Sequence, residues 1–268
     1  MRHMAILTLV APVLALPPGR AGEPRFETPF ILPDVPGPVA VDAGDFNRDG
    51  KLDLAAASGS SLVLVLIQNP ADRLDWARVP LSVGRGCYFL RAADFDGDGY
   101  DDLAVADPGS TAYFVRNRGD GTFEPPAALE KTKTSRWLTI GDWNQDGTLD
   151  LASANHALST VSVLTGDGAG NFTVTQEDSG DDTHAIEALD YDGNGILDLA
   201  LGVGSSGLSI SRGLENGKFV RAGGSGDFGC VRFLAAGDID RDGKGDLALI
   251  CDQGRVMTIG ISRGNGYY

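Results

Sequence analysis

The residues of this sequence that are best suited to bind a metal ion or to take part in a reaction are aspartates at a regular spacing. The segment "DFDGDGYDDL", which begins at Asp94, holds five carboxylates in ten residues. Five such segments occur, and their first aspartates are 48 or 49 residues apart. Side chains that carry oxygen fill positions 1, 3, 5 and 9 of each segment, and glycine fills position 6.

Alternating oxygen ligands followed by glycine let a short loop curl around one hard cation, and the carbonyl of position 7 can also face the ion. Three or four carboxylates in each loop favour Ca²⁺, which accepts about six to eight oxygens. Histidine and cysteine are missing from these loops, which argues against zinc there. Position 12 lacks the glutamate of an EF-hand, and the following segment is β-rich, so an EF-hand is excluded.

We therefore predict about five Ca²⁺ ions; the alternative is a set of Asp/Gly turns that hold no metal. The predicted ligands at positions 1, 3, 5, 7 and 9 are Asp45, Asn47, Asp49, Lys51 and Asp53; Asp94, Asp96, Asp98, Tyr100 and Asp102; Asp142, Asn144, Asp146, Thr148 and Asp150; Asp190, Asp192, Asn194, Ile196 and Asp198; and Asp238, Asp240, Asp242, Lys244 and Asp246.

The elements that must position these loops are short strands. An apolar segment enters each loop and another leaves it, and two more follow within the 48-residue period. Four strands in each repeat, separated by turn residues, are typical of a propeller blade. One repeat is too small to bury its own apolar face, so the repeats must pack on one another in a single domain.

The segments "GDFNRDGKLDLA", "ADFDGDGYDDLAVAD" and "GDGTFEPP" resemble FG-GAP/VCBS repeats, the blades of integrin alpha-chain heads and of many secreted bacterial propellers. The resemblance covers about residues 26–268. It implies Ca²⁺ in the loop that joins strands 1 and 2, on the bottom face of an all-β propeller. The family usually has about seven blades, whereas this chain has five repeats.

The positions of the termini predict how the ring closes. An aromatic residue marks the start of the fourth strand at Trp76, Phe123, Phe172 and Phe219, and "RFETPF" at the N-terminus has the same spacing to its loop. The last repeat ends where its fourth strand should begin. We predict a five-bladed ring, with four antiparallel strands in each blade, closed by this N-terminal outer strand; the alternative is a piece of a larger assembly.

Residues 1–22 have the layout of a cleaved secretory signal peptide: a basic start, a twelve-residue apolar run and small residues near its end. Residues 23–268 would then be the propeller domain, secreted to the extracellular space or the periplasm. No segment is long and apolar enough for a membrane span. Cys230 and Cys251 flank the fifth loop, and either a disulfide or two free thiols fit this placement.

The function predicted from this pattern is a calcium-binding module for adhesion or recognition, which binds a carbohydrate or a protein and is itself a monomer. A net charge of −15 argues against nucleic acid as a partner. Six residues before the first aspartates stand Val39, Tyr88, Arg136, His184 and Arg232, which would ring the axis at the top face. Tyr88, Arg136, His184 and Arg232, together with His156, form the candidate site for an anionic or sugar ligand.

Two other functions are compatible with the sequence. Asp42 and Glu187 both lie three residues before a loop, and a carboxylate pair in the central funnel could serve a polysaccharide lyase or glycosidase. The interpretation that they are ordinary strand charges is favoured, and we find no catalytic motif elsewhere, so the protein is predicted not to be an enzyme. The third possibility is a purely structural surface module.

Overall fold

A computed structural model describes Leu32, residues 35–156, 158–180, 182–204, 207–225, 229–251 and 256–265, and Tyr268. Every regular element among these residues is a β-strand. The strands form five antiparallel sheets, each built from consecutive strands, so the chain is an all-β propeller with one blade for each repeat.

The blades follow one another along the chain. Blade 1 contains β1 (Ala40–Gly44), β2 (Asp53–Ala57), β3 (Leu62–Asn69) and β4 (Asp72–Ser82). Blade 2 contains β5 (Phe89–Ala93), β6 (Asp102–Ala106), β7 (Ala112–Val115) and β8 (Ala127–Leu129). Blade 3 contains β9 (Ser135–Gly141), β10 (Asp150–Asn155), β11 (Thr160–Gly166) and β12 (Phe172–Asp178). Blade 4 contains β13 (Thr183–Leu189), β14 (Asp198–Val203), β15 (Gly207–Gly213) and β16 (Phe219–Ser225). Blade 5 contains β17 (Val231–Gly237), β18 (Asp246–Cys251) and β19 (Val256–Gly260).

Burial differs between the strands of a blade in a way that the sequence explains. After its first aspartate the second strand consists mostly of small or apolar residues, and every residue of β6, β10 and β14 is buried. A strand that reads as a continuous apolar run is covered on both faces of its sheet. The outer strand β12 alternates half-buried and exposed residues, as expected for a strand with one solvated face.

Aromatic residues join blade 1 to blade 2, blade 2 to blade 3 and blade 3 to blade 4. The residue at position 2 of a loop meets the aromatic residue near the outer strand of the following blade, edge to face. Ring centroids are 5.7 Å apart for Phe46–Phe123 and 5.8 Å for Trp143–Phe219. Edge-to-face pairs at such distances stabilise a contact beyond the area that they bury.

The junction between blades 5 and 1 differs from the others. Ile239, at position 2 of the fifth loop, is 48% exposed, whereas the equivalent Phe46 is fully buried. Trp76 of blade 1 is covered by Leu32 and Val35 instead. Leu52, at position 8 of the first loop, is 56% exposed. The strand predicted to close the ring, "RFETPF", lies outside the described residues, so closure stays a prediction.

The first strands of all five blades line a central cavity of about 320 Å³. Its polar lining includes Asp42, Arg91, Thr139 and Glu187, which occupy the same position in four repeats. Arg91 reaches Glu187 across this cavity, with 3.3 Å between guanidinium and carboxylate, and so joins blade 2 to blade 4.

The three cysteines are free thiols in this structure. Cys251, at the end of β18, pairs in register with Val231, the neighbour of Cys230. Of the two arrangements that the sequence left open, the structure therefore has the two free thiols. Burial raises the pKa of the Cys87 thiol to about 12.

Candidate functional site

The aspartate at position 9 is a structural anchor in every loop. Asp150 is fully buried, and its two carboxylate oxygens accept the N–H groups of Trp143 in the loop (2.9 Å) and of Gly166 at the end of β11 (2.8 Å). A buried carboxylate with two such bonds fixes the loop to its own blade. Equivalent pairs of bonds are made by Asp53, Asp102, Asp198 and Asp246.

Positions 1 to 6 curl around the side chain of the first aspartate. In the third loop, Asp142 accepts the N–H groups of Asp146 (3.1 Å) and Gly147 (2.9 Å) with its two oxygens. The glycine at position 6 has a φ of 84°, in the left-handed region that other residues rarely adopt. Its four counterparts have the same sign of φ, which is the physical reason for a glycine at this place in each repeat.

Carboxylate oxygens converge in three of the five loops. One oxygen from each of three aspartates lies within 4.8 Å of the others in the sets Asp94, Asp96, Asp102; Asp190, Asp192, Asp198; and Asp238, Asp240, Asp246. Asn47 and Asn144 take position 3 in the two remaining loops. The oxygen sets have the chemistry that a hard divalent cation requires, so the residues present fit Ca²⁺.

The electrostatics of the loops agree with that fit. The pKa of Asp102 is raised to about 7 and that of Asp198 to about 6. Burial is the largest cause of both shifts, and neighbouring aspartates contribute in the same direction. A cation among these oxygens would favour the ionised forms. Two loops contain a basic partner as well: Arg116 pairs with Asp96, and Lys244 pairs with Asp242.

Position 7 shows one contact that is common to all loops. The N–H groups of Lys51, Tyr100, Thr148, Ile196 and Lys244 donate to the side-chain oxygen at position 5, over 2.7 to 2.9 Å. These bonds close the turn after the glycine. The assignment of the position-7 carbonyls as ligands stays a prediction.

The top-face residues stand on a repeated β-bulge. Arg136, His184 and Arg232 each fall where the register of the first strand shifts against the second, so each is an extra residue without a partner across the ladder. A bulge bends the strand and redirects a side chain. The strand then runs on to its aspartate loop, so these residues and the loops lie at opposite ends of the same strands.

The structure brings four predicted ligand-binding residues together as the top-face cluster: Tyr88, Arg136, His184 and Arg232. The guanidinium of Arg136 lies over the Tyr88 ring, 4.9 Å from its centroid. A terminal nitrogen of Arg232 is 2.9 Å from Nδ1 of His184. Val39, the fifth residue at this height, packs in the apolar core between blades 1 and 2.

A cavity of about 310 Å³ opens at this cluster, which we name the top-face cavity; it is lined by Tyr88, Arg136, Trp137, Arg232 and Phe233. Trp137 stacks on Phe89 at 4.1 Å and meets Phe233 edge to face at 5.4 Å. Aromatic side chains from three blades therefore meet at a cavity that two arginines also line. The aligned positions of Trp137 and Phe233 predict that these aromatic residues make contacts. They do not predict which blades meet at those contacts.

His156 joins the top face through an acidic residue that the sequence analysis did not single out. Its Nε2 is 3.4 Å from Oδ2 of Asp182, and Nε2 of His184 is 3.7 Å from the same oxygen. Burial is the largest cause that lowers the pKa of both histidines, that of His184 to about 4. No sequence motif marks Asp182, since it lies 26 residues from His156 in a different blade.

The carboxylates considered for catalysis both line the central cavity, with Arg91 beside them. The pKa of Glu187 is raised to about 7, and burial is the largest cause. Arg91 opposes this shift, and Asp42 adds to it. Asp42 accepts the N–H of Ala92 in the next blade, over 3.0 Å. Both carboxylates therefore hold inner strands in place. This role agrees with the interpretation that they are ordinary strand charges, and not with a catalytic acid–base pair.

Comparison with known proteins gives a family and a fold. The family described as FG-GAP-like repeat matches residues 45–105, 94–153, 142–201 and 190–249. No curated protein sequence matches the chain. Among solved structures, a crystal structure of BBS1N in complex with ARL6DN, soaked with mercury, is similar with a TM-score of 0.62 and 17% identity, over 89% of this chain and 69% of that one. The same complex soaked with lead gives 0.59 and 16%, over 85% and 62%.

In the part of the chain that the structure describes, we find no helix with the length and apolar character that a membrane crossing requires.

Proposed function

Because this chain belongs to the FG-GAP-like repeat family and folds as a β-propeller, we propose that it is a recognition module whose top face binds an anionic group of a protein or carbohydrate partner. The aspartate loops at the opposite end of the blades hold Ca²⁺ in this proposal. The top-face residues bind, and the loops keep the inner strands that present them in place.

The observation that carries this proposal is the composition of the top-face cavity. Arg136 and Arg232, both half-buried, line this cavity together with the aromatic side chains of Trp137 and Phe233. The chain as a whole has a net charge of −15, so two guanidinium groups at one cavity are a local exception. Guanidinium groups form bidentate, charge-assisted bonds with carboxylate and other planar anions, and aromatic faces pack against sugar rings or apolar side chains.

Calcium has a structural role in this account. When bound, the ion would neutralise the carboxylates that each loop gathers and would stabilise the folded state relative to the unfolded chain. The side chains at positions 1, 3, 5 and 9 would supply the oxygen ligands of the ion. Position 9 also holds each loop to the third strand of its blade.

A binding screen tests the recognition proposal. The purified full chain with Ca²⁺ is tested against arrays of acidic peptides and of uronic acid oligosaccharides, and the hits are measured with the double variant Arg136→Ala/Arg232→Ala. We expect affinity to fall by at least about tenfold, since each charge-assisted bond contributes roughly 1.5–3 kcal/mol. The matched control is Arg78→Ala/Arg221→Ala, which removes the same charge from exposed positions on outer strands. Equal binding by both double variants would place the ligand elsewhere.

We propose in addition that residues 1–22 direct export, because a basic start and a twelve-residue apolar run are the features of a signal peptide. N-terminal sequencing of protein recovered outside the cytoplasm should give a chain that begins near residue 23. Recovery of the intact chain from the cytoplasm alone would contradict this proposal.

A further inference from the structure

A group of two imidazoles and one carboxylate lies on the top face, away from all five aspartate loops. His156 is in the turn after β10 of blade 3, Asp182 immediately precedes β13 of blade 4, and His184 is the bulge residue of β13. One ligand atom from each lies within 4.8 Å of the other two. We name this group the His–Asp–His cluster.

The spacing within the cluster suits a shared ion better than direct hydrogen bonds. Both Nε2 atoms face Oδ2 of Asp182, at 3.4 and 3.7 Å. Hydrogen bonds between nitrogen and oxygen are about 2.7–3.2 Å long. Four ligands placed tetrahedrally around Zn²⁺, with bonds of about 2.0–2.2 Å, are about 3.3–3.6 Å from one another. The two nitrogen-to-oxygen distances are therefore close to those between ligands of one metal ion, and the three ligand atoms all lie within 4.8 Å of one another.

Backbone hydrogen bonds position His156 and Asp182 in advance, and the bulge of β13 places His184. The N–H of His156 donates to the carbonyl of Thr134 (3.1 Å), and the Thr134 hydroxyl donates to the carbonyl of His156. The carbonyl of Asp182 accepts the N–H of Gly204 over 2.8 Å. A metal site needs ligands whose supporting contacts are already made.

Arg232 leaves the ring plane of His184 open. Its terminal nitrogen is 2.9 Å from Nδ1 and 3.2 Å from Nε2 of the imidazole. A donor in the ring plane, along one lone pair, would lie much farther from the second nitrogen than from the first. The near-equal distances place the guanidinium over the face of the ring, so Arg232 does not occupy the ring plane at Nε2, which is 3.7 Å from Oδ2 of Asp182.

We propose that His156, Asp182 and His184 bind one divalent transition-metal ion, with zinc as the best fit to two imidazoles and a carboxylate. Three protein ligands leave a fourth position for water or an anion. The side chains of His156 and Asp182 are 30% and 34% exposed, so that position is open to solvent. The site differs from the calcium loops in chemistry, since nitrogen ligands favour zinc over calcium, and it does not depend on the proposed recognition function.

Metal titration of the full chain tests the proposal. With Ca²⁺ in excess, so that the oxygen-rich loops are saturated, Zn²⁺ is titrated by calorimetry and Co²⁺ by visible absorption. We expect about one ion per chain and the intense absorption of a tetrahedral cobalt centre. His156→Ala and Asp182→Asn should each weaken binding by at least about tenfold. Glu130→Gln, which removes an exposed carboxylate outside the cluster, should bind as the wild type does.

Two results would overturn the proposal. The first is an absence of zinc binding by the wild-type chain once calcium is saturating. The second is zinc binding that His156→Ala and Asp182→Asn leave unchanged, because the ion would then occupy another site. His156 lies in a half-exposed turn, so its truncation should leave folding intact, and the unfolding midpoint of the metal-free variant verifies this.

Discussion

The carboxylate of Asp150 shows how one residue organises a repeat. Asp150 begins the second strand of blade 3, and it accepts one N–H from the loop and one from the end of the third strand. The sequence marks position 9 as a metal ligand, but it does not show these two bonds. A position-9 aspartate is therefore required by the fold whether or not an ion is bound.

Removal of this carboxylate should be costly even without calcium. Asp150→Ala leaves the N–H groups of Trp143 and Gly166 buried without an acceptor, and each unsatisfied group costs about 1–3 kcal/mol. We expect the free energy of unfolding to fall by about 2–5 kcal/mol in urea titrations with a chelator present. The control is Asp146→Ala at exposed position 5, for which less than about 1 kcal/mol is expected. With the chelator present, a loss for Asp150→Ala as small as that for the control would show that these two bonds contribute little to the metal-free fold.

Glu187 gives the protein a pH dependence with a defined sign. Its folded pKa, about 7, is above the ordinary value of 4.5 because of burial. Between these values the folded state holds a proton that the unfolded chain has lost, so the contribution of Glu187 to stability is fully present below pH 4.5 and is lost as pH rises to about 7.

Urea unfolding from pH 4.5 to pH 7.5 measures this dependence. We expect Glu187→Gln, which cannot ionise, to remove up to about 3 kcal/mol of the decline. The pair with Arg91 is lost in the variant at all pH values, so the slope is compared rather than the absolute stability. An unchanged slope would assign the decline to other groups.

At the scale of elements, β19 is the outermost strand of blade 5 among the described residues. It pairs with β18 along one edge, and Met257 and Ile259 are 64% and 51% exposed. An exposed apolar edge is prone to pair with another chain. We expect monomeric behaviour to depend on the N-terminal segment that is predicted to cover this edge.

Deletion of residues 26–31, with Leu32 retained because it covers Trp76, tests this element. We expect the shortened chain to form soluble aggregates in size-exclusion chromatography while it keeps its calcium content, since the deleted residues lie outside every loop. Substitution of Met257 and Ile259 by threonine in the same deletion should restore the monomer. A shortened chain that stays monomeric and melts as before would show that this segment does not close the ring.

The 48-residue period of the sequence predicts which strands form better than it predicts where each strand begins. β12 and β16 begin at Phe172 and Phe219, as the aromatic spacing predicts. In blade 2 the strand begins at Ala127 rather than at Phe123, which forms only an isolated bridge with Asn117. Pro125 and Pro126 intervene, and proline has no N–H to donate to a ladder. In blade 1, β4 begins at Asp72, before Trp76.

At the scale of the whole molecule, the period places residues at equal heights but does not show which of them meet. The aligned positions of Tyr88, Arg136, His184 and Arg232 predict a common top face, and the structure brings these residues together. The ion pair of Arg91 with Glu187 joins blades that are not neighbours, and Asp182 approaches His156 across two blades. Such contacts depend on how the blades are arranged around the axis, which repeat spacing alone does not give.

The central claim is that the five aspartate loops are calcium sites that stabilise one propeller. Metal analysis of the purified full chain after dialysis, together with thermal melting before and after addition of a chelator, tests it most directly. The account predicts about five Ca²⁺ per chain and a midpoint lowered by at least about 10 °C on chelation, because binding energy contributes to folding. Protein that contains no calcium, with a melting temperature indifferent to the chelator, would contradict the account.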